Sequence, residues 1–371
     1  MRRLASVDVL RAIAILLMIQ VHFVENLSPR ETSSAALYDL SFVLGALPAP
    51  IFTFVVGLSL WLWLRRETAL GRSGSELSKV IVRRGLFLFG AGLAFAVLIW
   101  LPREVFDWDI LTLIGVSTLI LFPLRKLSPR KLVGLAILIL LISPPLRTTT
   151  GYASHWPGDE YIHTFTMRDV VLGFVLQGYF PLLPWLVFPL IGFATGKHYF
   201  ADESAERLRG WRMPVVGLGL VGLAGLGGCL SDEVPRAVRG YISELTFYPA
   251  STTLVVGTLG VTLLGLWVLY CGLDSRDIFP GGAVLSFFRR YGRFSLTTYI
   301  MHHVAHVWPL YLLAAWRGKR SSWSYYGEAV STPVALMLAL LFVAGFYVVL
   351  VVLERRRKYS FEGFLRWLSE A

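Results

Sequence analysis

Ten apolar runs, each about 15–23 residues long, follow one another along this chain of 371 residues. About 20 such residues span the hydrocarbon core of a bilayer as an α-helix. Inside a bilayer no water bonds to exposed N–H and C=O groups, so a spanning segment must satisfy them internally. The chain is therefore expected to be all-α, a polytopic integral membrane bundle of about ten transmembrane helices, organised as a single domain over residues 1–371. Charged residues make up only 16% of it and the mean hydropathy is +0.62. A soluble domain would carry about a quarter charged residues.

The spans read as residues 6–27, 44–64, 85–101, 110–124, 132–146, 180–200, 213–230, 251–273, 294–316 and 332–353. With both termini cytoplasmic, 25 of the 35 Lys and Arg residues fall in inside segments, nine fall outside, and Arg11 lies within the first span. That asymmetry fits the positive-inside rule. The net charge of +11 then reads as orientation, and no nucleic-acid partner is expected. Arg2 and Arg3 precede an apolar run as in a signal peptide. Asp8 and Arg11 interrupt that run and no A-x-A-like cleavage site follows, so a retained first helix is expected. Cys229 and Cys271 sit in apolar runs and read as small buried packing residues. Trp100, Trp108, Tyr179, Trp185 and Trp308 fall near outer span ends, as an interfacial belt would. Three prolines in residues 180–197 predict a broken helix, Pro309 predicts a kink, and GLGLVGLAGLGG (217–228) allows close helix packing.

Ionisable groups within spans are costly and tend to mark functional paths. The first span carries Asp8 and Arg11 near its cytoplasmic start and Gln20 and His22 toward its far end. From Arg11 to His22 the helix rises about 16 Å. Asp8 and Arg11 are three residues apart on one face, as an interfacial ion pair or as an anchor for an anionic cofactor. His22 is a candidate general base or acyl carrier, against the plainer reading of a histidine bonded to a neighbouring helix. His302 and His306 share a face with Tyr299 beside them. They read as helix packing or as assistance to His22. With no carboxylate or thiolate nearby to complete a set, no metal is expected. Asp107 or Asp109 would cap the helix that starts at residue 110, or orient a histidine or bind a substrate hydroxyl. Among the cytoplasmic arginines, Arg83, Arg84 and Arg293 abut helix starts, where phosphate is favoured. Positive-inside anchoring is the plainer reading for most of the cytoplasmic arginines.

SVDVLRAIAILLMIQVHF resembles the first-helix signature of transmembrane acyltransferases. APIFTFVVGLSLWL, RRGLFLFGAGL, DILTLIGVS, YFPLLPWLVFPLIGFATGK and GRFSLTTYIMHH follow in the order of the heparan-alpha-glucosaminide N-acetyltransferase group and its bacterial relatives. The first motif is also similar to the O-antigen acetylase (acyltransferase-3) type. The resemblance implies an enzyme that moves an acetyl or acyl group from cytoplasmic acetyl-CoA to an amine or hydroxyl of a carbohydrate acceptor on the extracytoplasmic side. It puts His22 at the polar active-site position and His302 on the histidine of the penultimate signature. From the residues themselves, His302 or Asp109 would orient or assist His22. Arg11, Arg83, Arg84 and Arg293 would hold the cofactor's phosphates. One departure stands out: the heparan enzyme has a further histidine between its first two helices, and residues 23–50 here contain none. The expected partners are the lipid bilayer, a glycan acceptor and a second copy of the chain in a homodimer. The expected location is a bacterial inner membrane. A transporter or flippase for a lipid-linked or small polar substrate is the rival from another class, and a purely structural membrane subunit is a third.

Overall fold

The computed structural model describes residues 3–29, 35–100, 104–157, 161–200, 206–235, 238–275, 282–356 and 359–370. Among these there is no β-strand. The helices are α1 (Ala5–Leu27), α2 (Ala35–Gly45), α3 (Pro48–Ala69), α4 (Gly74–Phe95), α5 (Ile110–Leu124), α6 (Pro129–Thr149), α7 (Met167–Leu172), α8 (Leu182–Trp185), α9 (Val187–Tyr199), α10 (Glu206–Arg209), α11 (Arg212–Cys229), α12 (Thr252–Leu269), α13 (Ala283–Arg293), α14 (Ser295–Trp316), α15 (Thr332–Arg355) and α16 (Phe361–Glu370). Two compact units are built from them. The larger holds Met1–Arg3, Pro50–Arg276 and Leu368–Ala371; the smaller holds Leu4–Ala49 and Asp277–Trp367.

In the larger unit, helix starts follow local chemistry. Ser73 and Glu76 close a reciprocal capping box at α4, with Glu76 Oε2 accepting from Ser73 N at 2.7 Å. Ser128 caps α6, with Pro129 at its first position. Glycines then let helices approach at backbone distance. A Cβ on Gly57 would overlap the Pro189 carbonyl, and one on Gly192 would overlap that of Phe54, which locks α3 against α9. Gly217 and Gly260 do the same for α11 and α12, whereas Gly219, Gly222 and Gly225 meet nothing nearby. So one face of the glycine-rich α11 is used in packing. The proline-rich stretch is broken as expected: Leu183 leaves helical geometry (φ −110°, ψ 122°) between Pro181 and α9.

In the smaller unit α1 is the central post. Ala12, Ala14, Ile15, Ile19 and Val24 have no exposed surface, and α2, α13, α14 and α15 all pack on this helix. Gly292 brings α13 so close to α1 that a Cβ would overlap the Asp8 carbonyl. Arg290 and Arg293 of α13 both bond Glu354 of α15, each at 2.7 Å. Glu362 of α16 sits on the N-terminus of α14 and accepts from Leu296 N at 2.7 Å and Thr297 N at 3.0 Å. It satisfies orphan donors where the helix dipole favours a carboxylate. The loop before α15 folds back on α1, with Gly327 N on the Asn26 carbonyl at 2.8 Å and Val330 N on that of Leu27 at 2.9 Å.

Every expected span overlaps helix, though 44–64 takes in the end of α2 and most of α3, 180–200 is divided between α8 and α9, and residue 101 of 85–101 lies outside the described residues. Eight helical stretches among the described residues are long and apolar enough to cross a membrane. Of the other two, α5 is apolar but only 15 residues long, and α14 has 22 residues but carries three histidines. Large exposed apolar side chains on α15, such as Leu340, Leu341 and Val348, suit contact with lipid. Four residues differ from expectation. Trp108 and Trp185 are 6% and 1% exposed and belong to the core, not to an interfacial belt. Trp185 is held there by Phe180, Phe188 and Phe247. Cys229 is exposed at the end of α11 and Cys271 is half-buried, so neither is a buried packing residue.

Candidate active site

The polar residues of α1 meet those of α14 inside the smaller unit. His22 Nδ1 lies 3.0 Å from His302 Nε2, with the two rings nearly parallel (12°, centroids 5.3 Å apart). His302, His303 and His306 are 0%, 2% and 3% exposed. One turn beyond His22, Asn26 Nδ2 donates to His306 Nε2 at 2.7 Å. Tyr326 donates its hydroxyl to Asn26 Oδ1 at 2.7 Å. Ser28 and Thr332 exchange a hydrogen bond of 2.7 Å at the end of the same seam.

Backbone geometry sets the tautomers. The Nδ1 atoms of His302, His303 and His306 each face the carbonyl four residues earlier, at 3.1, 3.1 and 2.6 Å. A carbonyl only accepts, so each Nδ1 carries the hydrogen and each Nε2 carries the lone pair. His302 Nε2 then accepts, which makes His22 Nδ1 the donor. His22 Nε2 is left with its lone pair, the form a general base needs. The same logic holds at His306, whose Nε2 accepts from an amide that can only donate.

His22, His302 and His303 also place three ring nitrogens within 4.8 Å of one another. In His302 and His303 the Nδ1–H is held by a carbonyl, as metal-binding histidines are commonly oriented; for the trio to hold a divalent ion, His22 would have to release its Nδ1–H bond to His302.

The other expected site residues fall as follows. Arg11 donates to the Gly292 carbonyl at 3.2 Å and lies 3.7 Å from Asp8, as the plainer ion-pair reading has it. Arg293 is bonded to Glu354. Arg83, Arg84 and Asp109 belong to the larger unit. Arg83 is exposed and pairs with no described residue. Arg84 lies over the Trp63 ring at 4.6 Å and donates to Ser369 at 3.2 Å. Asp109 caps α5, accepting from Leu111 N at 2.8 Å, while Asp107 accepts from His163 at 3.1 Å. That bond raises the pKa of His163 above its ordinary value. Sequence reading did not single out His303, Asn26 or Tyr326. Asn26 carries a readable signal, lying four residues after His22 on the same face; Tyr326 is in a loop and carries none.

The sequence model of the heparan-alpha-glucosaminide N-acetyltransferase catalytic domain matches residues 3–224, which include His22, Arg83, Arg84 and Asp109 but not His302 or Arg293. Among curated proteins no relative matches the chain. A match over more than half the sequence, with helical spans in the order the motifs imply, establishes that the chain belongs to the heparan-alpha-glucosaminide N-acetyltransferase catalytic-domain family of membrane acetyltransferases.

Proposed function

We propose that this chain transfers an acetyl group from cytoplasmic acetyl-CoA to an amine or hydroxyl of a sugar on the extracytoplasmic side, with His22 as general base. The family's name points to the amine of a glucosaminide as the preferred acceptor. The observation that carries the reading is the His22–His302 bond, because it fixes the tautomer in which His22 Nε2 is basic. Nε2 takes the acceptor's proton as its nitrogen or oxygen attacks the thioester carbonyl. The C–S bond then breaks, and the thiolate of CoA leaves with the proton returned by the imidazolium. His302 is a positioning residue, holding the ring by its Nδ1–H. His22 thus takes the part of the histidine missing from residues 23–50.

Arg83 suits the phosphates of the donor best, since its guanidinium is open, with Arg84 beside it in sequence on α4. Arg11 and Arg293 have their charge engaged within the smaller unit, where they tie α1, α13 and α15 together. Asp109 serves as a helix cap in this reading. The apolar helices suit a multi-pass membrane protein, and the reading places it in a bacterial inner membrane.

The test is thermal stability of the detergent-purified protein titrated with acetyl-CoA, with CoA and ATP as controls. A ligand that binds only the native state raises the melting temperature. Acetyl-CoA and CoA should stabilise, ATP should not, and Arg83→Ala should weaken the effect. No shift at millimolar acetyl-CoA would remove the donor from the account. The clustering of three ring nitrogens supports a second reading, metal-assisted transfer. Stoichiometric zinc in the active purified protein would favour it over a free His22 base.

A further inference from the structure

Helix α16, the last of the chain, exposes two faces of opposite character. Phe361, Phe364 and Trp367 recur at three-residue spacing and fall within an arc of about 120° around the helix. They are 39%, 46% and 64% exposed. Phe364 and Trp367 stack, with ring centroids 5.6 Å apart. Arg366 is also exposed and lies about 160° round the helix from Phe364. A third side is bonded to the start of α14. There Glu362 accepts from Leu296 N at 2.7 Å and from Thr297 Oγ1 at 2.6 Å, and Thr297 Oγ1 accepts from Phe361 N at 3.0 Å. The open surface of α16 is thus divided into an aromatic sector and a basic one, as suits a helix lying at a boundary between lipid and water.

The bonds to α14 set the depth of α16. Helix α14 begins at Ser295, where a span is expected to enter the bilayer. The candidate span α15 ends on the same side, because its Glu354 holds Arg290 and Arg293 of α13, directly before α14. The headgroup zone is about 5–7 Å thick on each side of the hydrocarbon, and a helix with its side chains is about 10 Å across. A helix bonded to the first residues of a span therefore lies in that zone. At this depth lipid already covers an aromatic face, so a protein partner would have to displace it. In the topology that the charge asymmetry supports, this is the cytoplasmic side, whose leaflet carries the anionic lipids. Arg355 and Arg356, where α15 ends, are both exposed, and guanidinium groups suit headgroup phosphates.

We propose that α16 is an interfacial anchor whose partner is anionic phospholipid. Phe361, Phe364 and Trp367 lie at the boundary of headgroups and acyl chains, and Arg355 and Arg356 take the phosphates. The proposal does not rest on the acetyl-transfer reading.

The experiment uses the full chain carrying Cys229→Ser and Cys271→Ser, in nanodiscs of phosphatidylcholine with and without phosphatidylglycerol. A nitroxide is attached at Phe364→Cys or, on the other side of the helix, at Arg366→Cys. The label at position 364 should be relaxed more by oxygen, which concentrates in lipid, than by a water-soluble nickel chelate. The label at position 366 should show the reverse. Should Phe364→Cys fail to fold, Trp367→Cys takes its place. Equal access of the nickel chelate to both positions would put the aromatic sector in water. Exclusion of both reagents from position 364 would put it against protein, a second copy of the chain included. Either result overturns the proposal. Phosphatidylglycerol should also raise the melting temperature of the wild type. Each arginine near an anionic surface is worth about a fivefold gain in binding, so Arg355→Gln/Arg356→Gln should lose at least about half of that rise. An equal rise in the folded variant, or no rise in the wild type, would overturn the assignment to anionic lipid.

Discussion

Removing His302 tests the positioning role most sharply. In His302→Ala the His22 Nδ1–H loses its acceptor across 3.0 Å, and nothing then dictates which ring nitrogen of His22 carries the hydrogen. A buried donor left unsatisfied costs about 1–3 kcal/mol. If that cost falls on the productive orientation, it lowers kcat about 5- to 150-fold, at a factor of ten per 1.4 kcal/mol. KM for acetyl-CoA should change little. His22→Ala removes the base itself and should cost about 10²–10⁴. His302→Gln can place a carbonyl oxygen near the lost Nε2 and should recover most of the rate. The assay is release of the CoA thiol on acetyl transfer, with the melting temperature as a folding control. Equal losses in His302→Ala and His302→Gln, or a folded His302→Ala enzyme with wild-type kcat, would refute the tautomer argument.

Gly292→Ala puts a methyl into the Asp8 carbonyl and should destabilise the protein by about 1–3 kcal/mol, read as a lower melting temperature; an unchanged one would show that α13 does not need that close approach. Asp109→Ala should cost about 1 kcal/mol through loss of the α5 cap, whereas Asp109→Ser keeps the cap, the stability and the turnover per folded molecule. Loss of turnover in a stable Asp109→Ser variant would return Asp109 to the catalytic machinery. The pKa of His163 is raised by its bond to Asp107, so the stabilisation it gives is full below about pH 6.5, its ordinary value, and fades as pH rises through the higher folded value. The gap in melting temperature between wild type and Asp107→Asn should therefore shrink as the pH rises from about 6.5, the ordinary value, through the raised folded value; a constant gap would exclude a titrating pair.

Much of the helical frame was readable from the chain because lipid imposes length and polarity on each span. The span at 110–124 matches α5 to the residue, and 6–27 differs from α1 only by Ala5. The S-x-x-E pattern at Ser73–Glu76 sets the early start of α4, which an apolar window misses because that first turn is polar. For Trp185, position near a span end suggested an interfacial ring, but a bend in the backbone before α9 turns it into an aromatic cluster. Within the site, the histidine-rich α14 and the lone His22 were visible, and their partnership was one of two open readings. The Asn26–Tyr326 contact joins residues 300 positions apart through a loop of ordinary composition. Nothing local encodes such a contact. Asp107 and Asp109 show the same limit in miniature: both could cap a helix, and only the fold shows that Asp109 does so while Asp107 holds His163.

The most direct test of the central claim is transfer of labelled acetyl from acetyl-CoA to glucosamine in proteoliposomes, comparing wild type with His22→Ala. The account predicts transfer by the wild type, a loss of at least about 100-fold in the variant, and unchanged stabilisation of both by acetyl-CoA. Transfer by His22→Ala at the wild-type rate would contradict it.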